Sequence, residues 1–371
     1  MSRSVPERQS RCFLLFLVVL LCSSLILADG PKASAGIPDI APSPLALIES
    51  DHFKQARSVV EERYRANPRD PEALYLMSRV KQGYFDLEAA FDFAKRAAAT
   101  DPRNSRYHSN VAYIAGWLAQ QVNFLRMISL ARRVKKEVDL ALALDPNNVE
   151  ALKILGLYYL RVPFFLGGNK TKAHAIPEQI KRIDPVQGCI AYVYMANYDK
   201  QYDRIEKLYL QALETKPDSW HLHQALADYY LSNKRFEEGE RHACEAIRID
   251  AGRISAHLTL AALLAQQKKM EELNLALEEA EKAVPDNLTP YYSAVAWCPP
   301  NVMPIQRVEA HLRRYLTQEP EPNMPTHADA HRLLGIILHA AGQKEEGISE
   351  LQIAVKLNPN SLAKEDLKKL K

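Results

Sequence analysis

The stretch ADAHRLLGIILHAAGQKEEGISELQIAVKLNPNS, residues 328–361, contains one complete structural unit made of two helices and a turn. Leu334, Ile337 and Leu338 lie on one face of the first helix, and Gly342 interrupts the helical pattern. A second apolar stripe follows, which consists of Ile348, Leu351 and Val355. Because neither helix can bury its stripe alone, the unit needs neighbours of the same kind. The sequence therefore predicts an array of helix pairs.

Prolines that end predicted helices recur along the chain at a regular distance. They are Pro68, Pro102, Pro146, Pro185, Pro217, Pro285, Pro320 and Pro359. The interval from Pro68 to Pro102 is 34 residues, and the interval from Pro217 to Pro285 is 68 residues, which is twice 34. The chain has only 13 glycines and no sustained alternation of apolar and polar residues. Together with this period, these features indicate helical repeats rather than sheets.

Two of the first helices share a motif of apolar, glycine and aromatic positions. The motif consists of Leu152, Leu155, Gly156 and Tyr159 in ALKILGLYYL, and of His331, Leu334, Gly335 and Leu338 in HRLLGIIL. Both resemble the first helix of the tetratricopeptide repeat (TPR) family. In that family small residues pack between the helices, and Ala90, Ala94 and Ala97 occupy such places in a second helix of this chain. The resemblance covers roughly residues 44–361. It implies an all-α fold, a right-handed α-solenoid of eight to nine stacked helix-turn-helix repeats.

The repeat pattern divides the chain into six segments. We expect a signal peptide or signal anchor at residues 1–35, a short linker at 36–43, a TPR-like array at 44–320, a proline-rich linker at 321–327, a C-terminal TPR unit at 328–361 and a capping helix at 362–371. Insertions interrupt the array at residues 161–170 and 297–304. The first unit has a short first helix and is expected to cap the array. Pro177 is expected to kink or restart its helix.

The insertion at residues 161–170 contains the sequence PFFLGG. This short element resembles the P-x-x-x-GG loop of periplasmic TPR proteins, including the T-component of tripartite (TRAP-type) solute transporters. That resemblance implies an alternative function, in which the loop and the central pore or groove hold a small solute.

The N-terminus has the composition of a targeting segment. Arg3, Arg8 and Arg11 precede the apolar run of residues 12–28, and small residues follow it. Cleavage after Ala28 and cleavage after Ala35 both fit the preference for small residues before the cut, and Ala35 fits better. We expect an exported protein of the periplasm or cell envelope. In the alternative, residues 12–28 stay in place as a membrane anchor.

The charge balance argues against a nucleic-acid partner. The formal net charge is +3, and residues 1–35 carry four basic and two acidic side chains, so their removal leaves a net charge of +1. A nearly neutral protein gives no indication of the basic stripe that nucleic acids or anionic membranes attract. We therefore expect contact with a membrane only through the N-terminal segment, if that segment is not cleaved.

No pattern of residues predicts catalysis, a cofactor or a metal. The stretch Gly167-Gly168-Asn169-Lys170 lacks the preceding strand and the spacing of a phosphate-binding loop. His327 and His331 are four residues apart, a spacing that can hold a metal. However, His223, His257 and His331 occupy equivalent places in three first helices, which favours a packing role. We expect a protein that is not an enzyme.

The concave side of the solenoid is the predicted binding site. First helices line that side in stacked TPR units. The side chains projected into it are Tyr75, Arg79, Arg106, Tyr113, Trp117, Lys153, Tyr192, Gln224, Asp228 and Arg332. Aromatic residues and arginines in its N-terminal half suit an extended or acidic polypeptide. The sequence thus predicts a non-catalytic exported scaffold or adaptor that binds a protein or peptide partner, with the T-component-like solute binder as the alternative.

Overall fold

The computed structural model describes residues 42–370, which form nineteen α-helices and, within that range, no strand. Helices make up 76% of these described residues and pack in consecutive pairs, so the predicted all-α solenoid is confirmed. The targeting segment, its two candidate cleavage sites and most of the linker at 36–43 lie outside the described residues. Within the described range, no helix combines the length and the apolar character needed to cross a bilayer.

The helices alternate between first and second members of nine pairs. The first helices are α1 Pro44–Glu49, α3 Pro71–Gly83, α5 Ser105–Leu118, α7 Val149–Arg161, α9 Pro185–Tyr198, α11 Trp220–Ser232, α13 Ile254–Gln266, α15 Thr289–Ala296 and α17 His327–Ala340. The second helices are α2 Phe53–Ala66, α4 Leu87–Thr100, α6 Phe124–Leu144, α8 Lys170–Ile183, α10 Ile205–Thr215, α12 Phe236–Ile249, α14 Met270–Ala283, α16 Ile305–Leu316 and α18 Lys344–Leu357. The final helix, α19 Ala363–Leu370, packs on α18.

Polar caps fix where many of the helices begin. Asp70 accepts the N–H of Glu72 at 3.0 Å before α3, and Asp184 accepts two backbone N–H groups before α9. Pro71 and Pro185 follow these caps in the first turn, where the missing N–H costs nothing. The caps of α5, α6, α7 and α8 are Asn104, Asn123, Asn148 and Asn169. These side chains satisfy N–H groups that have no partner inside the helix.

The turn from first to second helix has the same geometry in six pairs. In each turn one residue has a positive φ, and these residues are Asp51, Phe85, Lys200, Lys234, Lys268 and Gly342. The next residue donates its N–H to the carbonyl five positions earlier, as Gln343 does to Leu338 at 3.0 Å. This closing bond ends the first helix and reverses the chain. Only Gly342 is a glycine, so the sequence signalled one of the six turns.

Small residues allow the paired helices to approach closely. Ala90, Ala94 and Ala97 are completely buried on α4, as the resemblance implied. In the last pair, a Cβ added to Gly335 would stand 2.8 Å from the carbonyl oxygen of Gly347. The backbones of α17 and α18 therefore meet where neither residue has a side chain.

Three pairs depart from the regular geometry. Helix α6 is 21 residues long, and α15 has only eight residues before a connection that reaches Ile305. The 161–170 insertion forms a 3₁₀ turn, Phe164–Leu166. The expected restart at Pro177 was wrong, because α8 runs unbroken through this residue, whose side chain is buried. Proline can remain inside a helix when tertiary packing compensates for the lost hydrogen bond.

The first pair does not end the array as a free cap, because it contacts residues more than 190 positions away. His52 Nδ1 lies 2.8 Å from an Asp286 carboxylate oxygen, and His52 Nε2 lies 3.2 Å from the carbonyl oxygen of Gly252. Lys54 Nζ donates to the carbonyl oxygens of Asp286 and Glu319 at 2.7 and 2.6 Å. The solenoid therefore curves back on itself, so that its first eight pairs form a ring from which α17, α18 and α19 continue.

The proline-rich connection forms part of the same closure. Glu321 is 1% exposed and accepts the backbone N–H of Lys54 at 3.1 Å. Asn323 donates to the Asp51 carboxylate at 3.3 Å. Within the described residues, no hydrophobic cluster contains residues from both sides of this closure. We call the contacts of residues 51–54 with residues 252, 286 and 319–323 the polar seam.

The turn geometry predicts that Gly342→Ala lowers the free energy of unfolding by about 1 kcal/mol. Gly342 has a φ of 93°, and no atom lies within 4 Å of an added Cβ, so the cost is conformational rather than steric. Urea unfolding should show a lower midpoint for this variant. The matched control is Gly252→Ala, whose added Cβ is at an ordinary contact distance of 3.4 Å. Equal midpoints for the two variants would contradict the prediction.

Candidate functional site

The first helices face a common interior. The carboxylate of Glu49 at the end of α1 interacts electrostatically with Arg79, Arg106 and Glu150, which belong to α3, α5 and α7. It also interacts with Arg253, which directly precedes α13. Side chains from five pairs can act on one carboxylate only if these helices surround a shared space. We call the surface that they form the inner surface.

Burial and two nearby cations shift the pKa of Glu49 in opposite directions. Burial raises the pKa of its carboxyl group above the ordinary value, and the cations Arg79 and Arg253 oppose that rise. The guanidinium of Arg253 also donates to the backbone carbonyl of Glu49, and it lies 4.4 Å above the ring of Trp220. Residues that were not predicted from the sequence thus connect both ends of the array on the inner surface.

Tyr75, Arg79 and Arg106 form one group on α3 and α5. Arg106 stacks 4.5 Å above the ring of the buried Tyr75 and forms an ion pair with Glu72. Arg79 donates to the hydroxyl oxygen of Tyr75 at 3.0 Å, and its Nε is buried without a hydrogen-bond partner. Among the described residues, no carboxylate lies within ion-pair distance of Arg79. The group therefore contains one cation with unused capacity to bind an anion.

Two further predicted groups follow on the next helices. The rings of Tyr113 and Trp117 are 6.1 Å apart on α5, and both are half-buried. Lys153 on α7 is almost buried, with Nζ 2.5 Å from Glu150 and 3.1 Å from the amide oxygen of Gln187. Its charge is thus balanced inside the protein.

Gln224 and Asp228 meet Thr259 of the next first helix. The Gln224 amide donates to the Asp228 carboxylate at 2.9 Å, and the Thr259 hydroxyl donates to the same oxygen at 2.7 Å. Burial raises the pKa of Asp228 to about 6, although both hydrogen bonds favour the ionised form. Asp228 makes no ion pair among the described residues. The inner surface therefore also contains a buried acid without a countercharge.

Tyr192 and Arg332 are placed apart from these groups. The Tyr192 hydroxyl donates to Glu178 of α8 at 2.9 Å. Arg332 pairs with Asp366 of α19 at 2.6 Å, so the final helix engages its guanidinium. Glu178 and Asp366 could not be recognised as partners when the inward side chains of each first helix were predicted from the sequence, because both belong to other helices. The remaining eight predicted residues lie on α3, α5, α7 and α11.

The histidines have structural partners. The Nε2 atoms of His108, His223 and His257 each lie within 3.0 Å of the carbonyl oxygen six residues earlier, where they bridge the turn before the helix. His331 lies 2.5 Å from Glu350, and His327 lies 2.8 Å from a backbone carbonyl. Across residues 42–370, no group of three or more potential ligands comes together to hold a metal.

Solved structures with the same architecture identify the fold. Yeast Tom70 has a TM-score of 0.53 and 15% identity, with 97% of this chain and 74% of the Tom70 chain covered. A thermophilic TPR protein from Thermus thermophilus has 19% identity, a TM-score of 0.36, and coverage of 60% of this chain and 95% of its own. The fold is that of a TPR array. The repeat motifs and the Tom70 similarity agree on this fold.

The comparisons leave the function to be inferred from the site. No protein-family model and no curated protein matches the sequence. A TPR protein from Parabacteroides merdae is also structurally similar, with 16% identity, a TM-score of 0.40, and coverage of 81% of this chain and 98% of its own. At 15% identity the similarity to Tom70 establishes the fold and nothing more. The comparisons do not support the T-component alternative.

The polar seam contains groups whose protonation depends on ring closure. Burial raises the pKa of Glu321 to about 7 and that of Asp51 to about 6, with Lys54 and Arg253 respectively opposing the rise. Burial works to lower the pKa of His52, but the Asp286 carboxylate raises it overall. The pKa of Asp286 is lowered by His52, against the effect of burial. The closed ring therefore binds protons more tightly than an open one at three positions.

The TPR array should be closed more firmly at pH 5.5 than at pH 8.5. Groups with a raised pKa stabilise the closed form at low pH, and this contribution is lost as the pH rises through about 6 to 7 for Asp51 and Glu321. Asp286 opposes this trend only at more acidic pH. Small-angle X-ray scattering should give a larger radius of gyration at pH 8.5.

The double variant His52→Ala and Lys54→Ala tests whether the polar seam causes this change. It should be expanded at both pH values, because it loses the His52 and Lys54 side-chain contacts with Asp286 and the ion pair of Lys54 Nζ with Glu321 at 3.9 Å. Lys282→Ala removes an exposed lysine of α14 outside the seam and should behave as the wild type. A radius that does not depend on pH in the wild type would rule out the titration.

Proposed function

We propose that the protein is an exported, non-catalytic scaffold or adaptor that binds a polypeptide partner on the inner surface. The main observation in support is that four first helices place Glu49, Arg79, Arg106 and Glu150 close enough to interact electrostatically. The surface extends over successive helices rather than around one compact pocket. An extended chain can use such a surface, because about three successive residues of the partner span the roughly 10 Å from one helix to the next.

Aromatic and cationic side chains supply the anchoring contacts. Tyr113 and Trp117 are rigid, half-buried and adjacent, which suits the apolar side chains of a partner. Arg79 offers a half-buried guanidinium whose Nε has no hydrogen-bond partner and which forms no ion pair among the described residues. A partner carboxylate placed there would gain charge-assisted hydrogen bonds in a site that contains little water. The partner segment should therefore be acidic as well as apolar.

Ring closure determines how such a partner enters. The seam encloses the inner surface, so a polypeptide must thread into the ring or bind when the seam is open. The seam consists of hydrogen bonds and ion pairs rather than an apolar core. When it opens, water can form hydrogen bonds with the released groups, so the free-energy cost of opening is modest. Access to the inner surface and closure of the seam are therefore coupled.

Site-specific photocrosslinking in the native cell tests this function. A photoreactive phenylalanine analogue in place of Trp117 should form crosslinks to one or a few proteins, because this position contacts the partner. The same analogue at Lys282, an exposed position of α14, should not form those crosslinks. Mass spectrometry then identifies the bound segment, which should contain acidic residues.

The variant Arg79→Gln should weaken the interaction with the identified segment about tenfold or more, measured by isothermal titration calorimetry. Glutamine keeps hydrogen-bonding capacity but removes the charge. The control Lys282→Gln removes a charge outside the inner surface and should leave the affinity unchanged. The proposal fails if crosslinks from positions 117 and 282 are the same, or if both substitutions have equal effects.

A further inference from the structure

The long helix α6 carries an outward stripe that no other helix covers. It is seven residues longer than α4 and α8, which have 14 residues each. The members of the stripe recur at helical spacing and are all exposed, namely Leu125, Ser129, Arg132, Lys136 and Leu140. Leu125 is 80% exposed. This exposed face has a leucine at each end and two adjacent cations between them, so it offers both apolar surface and positive charge to the outside of the protein.

The PFFLGG loop places two phenylalanines in solvent beside α6. Phe164 is 87% exposed and Phe165 is 63% exposed, and their rings meet edge to face with centroids 5.9 Å apart. Backbone contacts hold the loop, since the Tyr158 hydroxyl donates to the carbonyl of Leu166 and Asn169 N–H donates to the carbonyl of Tyr159. The aromatic pair is therefore presented by an ordered loop with hydrogen bonds at both ends.

An open groove of about 600 Å³ lies between α6 and the loop. Leu140, Tyr158 and Leu166 provide its apolar lining, and basic residues from α6 provide its charge. Lys135 pairs with Asp139 at 2.7 Å. Arg132 and Lys136 make no ion pair with any described residue. The groove thus combines apolar surface with two uncompensated positive charges.

We propose that this outward surface binds anionic phospholipid bilayers. Phe164 and Phe165 would enter the boundary between headgroups and acyl chains, and Arg132 and Lys136 would contact lipid phosphates. The near-neutral net charge of the chain does not reveal this surface, because two unpaired cations on one face hardly change the total charge. A second copy of the chain is a poorer occupant, since it would bring four like charges together. A bilayer offers an apolar boundary for the exposed aromatic side chains and anionic phosphates for the cations beside them.

Vesicle co-sedimentation tests the proposal with a chain that begins at residue 36. All described helices lie beyond this position, and removal of residues 12–28 prevents the N-terminal apolar run from binding lipid by itself. The probes are vesicles of phosphatidylcholine alone and vesicles that contain 30% phosphatidylglycerol. Binding is expected to the anionic vesicles and should weaken strongly in 0.5 M NaCl, which screens charge.

Two double variants separate the contributions of the surface. Phe164→Ser with Phe165→Ser should weaken binding at least tenfold, because the apolar insertion is lost. Arg132→Glu with Lys136→Glu should abolish the preference for anionic vesicles. The control Leu275→Ser removes an exposed leucine of α14, 61% exposed, and should bind as the wild type. Thermal unfolding midpoints should stay unchanged, since all these side chains are exposed.

Three results would overturn the proposal. They are a folded chain that does not sediment with anionic vesicles, equal binding to neutral and anionic vesicles, and a loss for Leu275→Ser that equals the loss for the phenylalanine variant. The first result would assign the surface to a protein partner instead. None of these variants changes the inner surface, so the outcome is independent of polypeptide binding there.

Discussion

The apolar stripe of each helix pair is buried only when the next pair packs on it, and the rest of the structure depends on this constraint. One hydrophobic cluster joins buried residues from Leu47 to Ile114, and another joins residues from Ala227 to Leu338. Each cluster spans several pairs, so no pair has a core of its own. The backbone approach of Gly335 to Gly347 and the buried alanines set how closely the members of a pair meet.

A stack of pairs leaves one unpaired face at each end: the first pair meets residues 252, 286 and 319–323 at the polar seam, and α19 covers the last pair. The joints between neighbouring pairs are apolar and persist as long as the protein is folded. The polar seam is different, because His52, Lys54 and Glu321 can exchange their partners for water when the ring opens. The inner surface is therefore built on permanent joints and bounded by a reversible one. Proton binding at the seam gives this boundary a dependence on pH that the apolar joints lack.

The sequence was most informative where the structure is local. The proline spacing, the alanines of α4 and the glycine turn at Gly342 reflect short-range chemistry, and they predicted the fold class correctly. Interactions between distant residues were not predictable, because the superhelical geometry that brings His52 to Asp286 is a small rotation repeated at every pair. For the same reason the projection named Tyr75, Arg79 and Arg106, which contact one another, but did not name Glu49 and Arg253, which lie near them. It also assigned Arg332 to the groove, although α19 engages this side chain.

The irregular pairs carry the features that distinguish this array from a generic one. A second helix of ordinary length would not support a stripe from Leu125 to Leu140, so the extra residues of α6 enlarge the outer surface. The insertion at residues 161–170 adds the phenylalanines beside the same helix. Both irregular elements modify the outside and leave the inner surface intact, since Glu150 and Lys153 remain on an ordinary first helix. A TPR array can thus gain a second binding surface without disturbing the first, because its inner and outer faces belong to different helices.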